Sequence, residues 1–159
     1  MAEVNVFAPQ WDSEMSDVGR RAMRLGPKIG SVELGVSLFE IDPGGAVSPI
    51  HIHHGNEELL LVLSGRVQVR APDGTQELDP GAVVAFPRGP AGAHQIANKS
   101  EEPARLLVFS TMNVPEVTEL LTTGTMFVSA DHGVRRTFPP DSAQEFMALW
   151  RAAFEADRG

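Results

Sequence analysis

The sequence predicts an all-β fold: an antiparallel sandwich or barrel with an α-helix at its C-terminus. Short apolar runs, "ELLLVLSG", "RVQVRAP", "GAVVAFP" and "ARLLVFST", are separated by turn clusters, "PDGT", "LDPG", "RGPAGA" and "NKSEEP", at the spacing of antiparallel strands. Leu59 to Leu63 are apolar on both faces, whereas a strand with one wet face alternates, so its outer face needs a cover. The candidates are a second sheet, the N-terminal arm with Phe7 and Trp11, or a second copy of the chain, and a homodimer explains the excess most simply. Near the C-terminus the apolar period becomes that of a helix.

At 159 residues the chain reads as one domain spanning 1–159, long enough to bury roughly 68–70% of its unfolded surface without a staple. It divides into an N-terminal arm (1–30), a barrel core (about 31–130) and a C-terminal helix (about 141–157). The arm begins "MAEVNVFAPQWDSEMSD", with early acid and no basic region leading into an apolar stretch, which argues against a secretory signal and for the cytoplasm. Asp17 to Leu25 reads as a short helix, and "GPKIGSVELGVSLFEIDPGG" as a strand closed by a Pro-Gly-Gly turn. After Pro139 and Pro140, Ser142 with Glu145 forms a capping-box pattern. Phe146, Leu149, Trp150, Ala153 and Phe154 follow on one helical stripe, expected to pack on the sheet or on a partner.

A net charge of −8, with basic residues scattered, argues against nucleic acid and anionic membrane surfaces as partners, and no segment is long and apolar enough to span a bilayer. The absence of cysteine removes disulfides, thiolate nucleophiles and sulfur ligands. Any metal must be held by nitrogen and oxygen.

One polar stretch interrupts the apolar rhythm: "GGAVSPIHIHHGNEELLLVLSG" places three of five histidines beside Glu57 and Glu58. Residues two apart on a strand share a face, so His51 and His53 project together while His54 projects the other way. A Gly-Asn turn then reverses the chain, and one of the two glutamates can point back at the imidazoles. His94 opens another predicted strand and is a third suitable ligand, whereas His132, in a plain "DHG" turn, reads as surface. Neutral imidazole with carboxylate suits a divalent transition metal such as Fe, Mn, Ni or Zn.

The two segments resemble the paired signatures of the cupin superfamily. The first signature, glycine, five residues, HxH, three or four residues, glutamate, six residues, glycine, is met by Gly45, His51, His53, Glu58 and Gly65. It selects Glu58 over Glu57, which by strand alternation faces away. The second is met by Gly81, Pro87, Gly89, His94 and Asn98, except that four residues instead of two separate Gly89 from His94, an insertion within the turn "PAGA". The likeness extends from about Leu34 to Thr111. It implies a cupin-type antiparallel β-barrel, also called a double-stranded β-helix or jelly roll, with a metal held by His51, His53, Glu58 and His94. Asn98 reads as a turn-stabilising amide.

Cupins include dioxygenases, isomerases, epimerases, decarboxylases, lyases and binding proteins, so the resemblance alone does not choose a reaction. The chain has no tyrosine to serve as a phenolic acid or base. Glu40, Gln68 and Gln95 are strand polar residues expected at the surface. The expected pocket walls, Val36, Leu38, Leu60, Val62, Ile96 and Phe109, are apolar. Apolar walls around a metal favour oxygenase chemistry on a small organic molecule bound in the barrel. The alternatives are a metal-dependent sugar-phosphate isomerase or lyase, and a small-molecule-binding cupin without turnover.

Overall fold

The computed structural model describes residues 3–131, 134–142 and 146–156. In chain order the strands are β1 (Ser13–Met15), β2 (Arg20–Arg24), β3 (Gly35–Ile41), β4 (His51–His53), β5 (Glu58–Ser64), β6 (Val67–Ala71) and β7 (Gly74–Leu78). There follow β8 (Val83–Phe86), β9 (Gln95–Ala97), β10 (Ala104–Ser110), β11 (Glu116–Leu120), β12 (Thr125–Ser129) and β13 (Arg135–Phe138). They form a six-stranded sheet in the order β1-β2-β3-β10-β5-β8, a three-stranded sheet β7-β6-β9 and a four-stranded sheet β13-β12-β11-β4. The ladders are antiparallel, and single bridges His51↔His94 and Ala46↔Ala97 tie the strands around β4 and β9 together. This is a jelly roll, and it ends in the helix α2 (Phe146–Ala156). No helix among the described residues is long and apolar enough to cross a membrane.

Strand alternation decides what each apolar run buries. The interior cluster takes Ile41 from β3, Leu60 and Val62 from β5, Val67 and Val69 from β6, Phe86 from β8, Ile96 from β9, and Leu106 and Val108 from β10. The intervening residues of β3, β5 and β10 face outward, and there Leu38, Val36, Leu63 and Leu107 pack with Met23, Leu25, Val4, Val6 and Trp11. The cover required by the two-faced run is therefore supplied in part by the N-terminal arm. Trp11 does this work with the Arg105 guanidinium 5.9 Å from its ring, while Phe7 stays 71% exposed.

The interior lining differs from expectation at three positions. Val36 and Leu38 lie beneath the arm, and Phe109, opposite Leu59 and Val36, is also on the outer face. Leu60, Val62 and Ile96 are inside as expected. Half-buried Glu40 is not simply solvated either: it accepts an ion pair from Arg21 at 2.5 Å and a second from Arg105, across β2, β3 and β10.

The helix expected over Asp17 to Leu25 is replaced by a 3₁₀ turn, Ser16–Val18, and strand β2. Gly19, at φ +60, stops the turn in a left-handed conformation. The unpaired edge of β3 then recruits Arg20–Arg24, placing Met23 opposite Leu38 and Arg21 opposite Glu40. Pairing between distant segments outweighs local helix propensity here. A short helix, α1 (Leu25–Ile29), precedes β3 where only a strand is expected.

At the C-terminus, Leu149 and Trp150 each remain about half exposed, so this part of the expected stripe is not buried. The Ser142–Glu145 capping pattern and His132 fall outside the described residues or side chains.

Candidate metal centre

The polar stretch enters the barrel through β4. The bridge between His51 and His94 carries reciprocal backbone hydrogen bonds, N–H to carbonyl, at 3.1 and 3.0 Å. This seam sets the two imidazoles side by side, with ring centroids 4.5 Å apart. His53 follows on the same face of β4, and the Gly55-Asn56 turn delivers Glu58 at the start of β5. Of the signature glycines, Gly65 is at φ +70, and a Cβ there would come within 2.5 Å of the Pro103 carbonyl. The tight exit from β5 therefore requires glycine.

The side-chain tips converge. His51 Nε2 lies 3.1 Å from His53 Nε2, and Glu58 Oε2 lies 3.5 Å from His53 Nε2 and 3.3 Å from His94 Nε2. Ligand atoms of His51, His53 and Glu58 all fall within 4.8 Å of one another, and His94 joins them through Glu58. His51 and His94 are buried, while His53 and Glu58 are half-buried. His54 points elsewhere, 3.3 Å from Glu119, and Glu57 is exposed.

The outward nitrogens explain why the inward ones are available. His51 Nδ1 is 2.9 Å from the Pro49 carbonyl and His94 Nδ1 is 2.9 Å from the Gly92 carbonyl. A carbonyl only accepts, so each Nδ1 carries the proton and donates it, fixing both rings. Gly92 belongs to the 3₁₀ turn Pro90–Gly92, so the longer spacing before His94 builds the turn that orients it. Phe86 stacks face to face on His94, centroids 3.8 Å apart and planes 9° apart, and locks it from the other side.

With Nδ1 protonated, the Nε2 lone pairs of His51 and His94 face another imidazole and a carboxylate. Such a set needs either extra protons or one cation shared by all four donors. Burial, then repulsion from the His94 and His53 imidazoles, pushes His51 down to about 4, which keeps its lone pair free at neutral pH. In the metal-free cluster burial works to raise the Glu58 carboxyl, but the hydrogen bond it accepts from His94 and the positive charge of the neighbouring imidazoles, when these are protonated, outweigh it and hold it below the usual range. Three neutral imidazoles and one carboxylate are a donor set that suits a divalent transition ion.

Around the cluster, Phe86 also lines a cavity of about 620 Å³ with Val69, Leu78, Val84 and Ala93. Glu58 lines an open groove of about 390 Å³ with Leu34, Leu59 and Phe109. Asn98 is fully buried and donates to the carbonyls of Ile41 and Glu102 while accepting from Ser100, so it ties a turn. Sequence reasoning missed Asn56, Glu116 and Thr118. Glu116 and Thr118 lie on β11, beyond the recognised signatures, yet Thr118 pairs with His53 across the ladder. The alternation in "EVTEL" is the signal that could have exposed them.

Residues 37–110 match the sequence profile of the cupin domain family, and both signatures fall inside that span. The barrel is a cupin domain. This cupin is similar to a sugar phosphate isomerase from Silicibacter pomeroyi, at 28% identity over 82% of each chain and a TM-score of 0.73. A candidate sugar phosphate isomerase from Acidithiobacillus ferrooxidans is 26% identical over 80% of each chain, with a TM-score of 0.71. The polyketide cyclase RemF from Streptomyces resistomycificus is 27% identical over 62% of this cupin and 69% of its own chain, with a TM-score of 0.52. No curated protein matches it significantly.

Proposed function

We propose that this cupin is a metal-dependent isomerase acting on a small hydroxy-carbonyl compound of the sugar-phosphate class. The observation that carries the reading is the convergence of His51, His53, His94 and Glu58 tips at the seam of the barrel. The likeness to two structures named as sugar phosphate isomerases, over four-fifths of both chains, supplies the reaction class. The three imidazoles and Glu58 would hold a divalent ion, which when bound supplies a Lewis acid that polarises a substrate oxygen. His51 and His94 bring rings already fixed by carbonyl acceptors, so little ordering remains to be done on binding. Phe86, stacked on His94, keeps water from that side of the cluster.

A second reading, an oxygenase acting on a less polar molecule, is favoured by the apolar side chains that fill the interior, Leu60, Val62, Phe86 and Ile96. The two readings separate by their need for oxygen, since isomerisation moves a proton between neighbouring carbons and consumes no oxidant.

The test begins with elemental analysis of untagged protein, together with His51→Ala and Glu58→Ala. Full metal occupancy in both variants would refute the site. Zinc-, manganese- or nickel-loaded protein is then incubated anaerobically with aldose and ketose phosphates, and ferrous protein is assayed for oxygen uptake on diketones, catechols and thiols. Anaerobic interconversion supports the isomerase. Turnover only with oxygen supports the second reading, and a ligand-induced melting shift without conversion in either assay indicates a binding protein.

A further inference from the structure

We propose that Glu116 is a positioning residue for His53, holding the ring with Nδ1 protonated and Nε2 turned to the cation; this rests on the metal reading above. The three histidines are not anchored alike. His51 and His94 each give their Nδ1–H to the backbone carbonyl two residues earlier in the chain. For His53 that carbonyl belongs to His51, and it already accepts the His94 N–H at 3.0 Å in the bridge that joins the two segments. His53 Nδ1 faces another strand instead.

That strand is β11. Thr118 sits opposite His53 in the ladder, and Glu116, two residues earlier, shares its face. Thr118 Oγ1 lies 3.3 Å from His53 Nδ1 and Glu116 Oε1 lies 3.6 Å from it. Glu116 is itself buried and held before any cation arrives. Its carboxylate accepts the Gly55 N–H at 3.3 Å and a hydrogen bond from the Asn56 amide. Asn56, also buried, is fixed in turn by donating to the Asn113 carbonyl at 3.1 Å and accepting from the Thr111 hydroxyl at 3.0 Å. Gly55 permits the approach, because a Cβ there would sit 2.8 Å from the Pro115 carbonyl and 3.1 Å from Glu116 Oε2.

A carboxylate behind a ligating imidazole fixes its tautomer and raises its basicity, and removing such a partner typically weakens metal binding by about 10–100-fold. Glu116 would therefore give His53 by charge what His51 and His94 obtain from backbone carbonyls.

The experiment measures cobalt(II) and zinc affinity by chelator competition in the unsubstituted protein, Glu116→Gln, Glu116→Leu and His53→Ala. Glu116→Gln is expected to lose about 10-fold and Glu116→Leu up to about 100-fold, with a changed cobalt absorption spectrum, while both keep a cooperative melt. Affinities within about threefold of the unsubstituted protein, with His53→Ala strongly impaired, would overturn the role of Glu116 and leave the metal site standing. Unsubstituted protein that takes up neither ion would refute the metal reading and this proposal with it. Nitrogen-15 NMR of the zinc-loaded unsubstituted protein adds a check that needs no variant to fold. Nδ1 of His53 should carry a proton, and a bare Nδ1 would overturn the proposal.

Discussion

Acidification of the metal-free protein tests the electrostatics of the cluster most directly. His51 titrates near 6.5 in an unfolded chain but is pushed down to about 4 in the fold by burial and by the other two imidazoles. Between those values the unfolded chain binds a proton that the folded chain refuses, so stability is full above pH 6.5 and declines as pH falls toward 4. The gap between 6.5 and about 4, at about 1.4 kcal/mol per pH unit, comes to roughly 3 kcal/mol. Glu58, held low, adds a loss of the same sign below about pH 4.5 and so extends the decline without filling the upper window. Urea unfolding at half-unit pH steps in the presence of chelator reads the slope, with His51→Leu as comparison. The variant should flatten the part between pH 6.5 and 4.5. Equal slopes in the two proteins would refute the assignment of that proton to His51.

The fold makes further predictions. Leu60, fully buried inside the barrel, should cost about 2–5 kcal/mol in Leu60→Ala by urea denaturation, whereas Leu59→Ala on the outer face should cost clearly less. Gly65→Ala should lower the melting temperature, because it combines φ +70 with a collision at the Pro103 carbonyl; an unchanged melt would mean that this turn readjusts. Trp11→Ala should release the arm from Leu38 and Leu63, seen as faster proteolysis before Asp17 with the barrel fragment persisting; uniform cleavage throughout would contradict the arm's role as a cover.

The sequence was legible where chemistry and period coincide in a short window. The HxH pair, the glutamate and the glycines all lie within 21 residues of Gly45, so alternation alone could place them on faces. The choice of Glu58 over Glu57 came from the spacing of the cupin signature, with strand alternation then turning Glu57 away, and the structure puts the Glu58 tip among the imidazoles and leaves Glu57 exposed. What was not legible depends on partners distant in the chain. Arg20–Arg24 becomes a strand because β3 offers an edge, and nothing within the segment says so. Val36 and Leu38 read as barrel lining because an apolar face looks the same whether it meets the interior or the arm. Glu116 stood some sixty residues from the histidine it faces, and only the pairing of β11 with β4 connects them.

The same pairing bears on how the site and the fold depend on one another. His51 and His53 come from the four-stranded sheet, Glu58 from the six-stranded sheet, and His94 from the residue that leads into β9 of the three-stranded sheet. A cation shared by the four tips would therefore join all three sheets at one point, where the backbone contributes the His51↔His94 bridge between the two smaller ones. Since an ion bound to the native arrangement stabilises it by mass action, its gain would fall on relative sheet position more than on any single strand. The donors lie only 3.1 to 3.5 Å apart along the cluster, so a small slip of one sheet against another would open it. The anchors at Pro49, Gly92 and Glu116 oppose such a slip from the outward side of each ring. On that account the second nitrogens of the histidines matter as much to the site as the ones that face the ion.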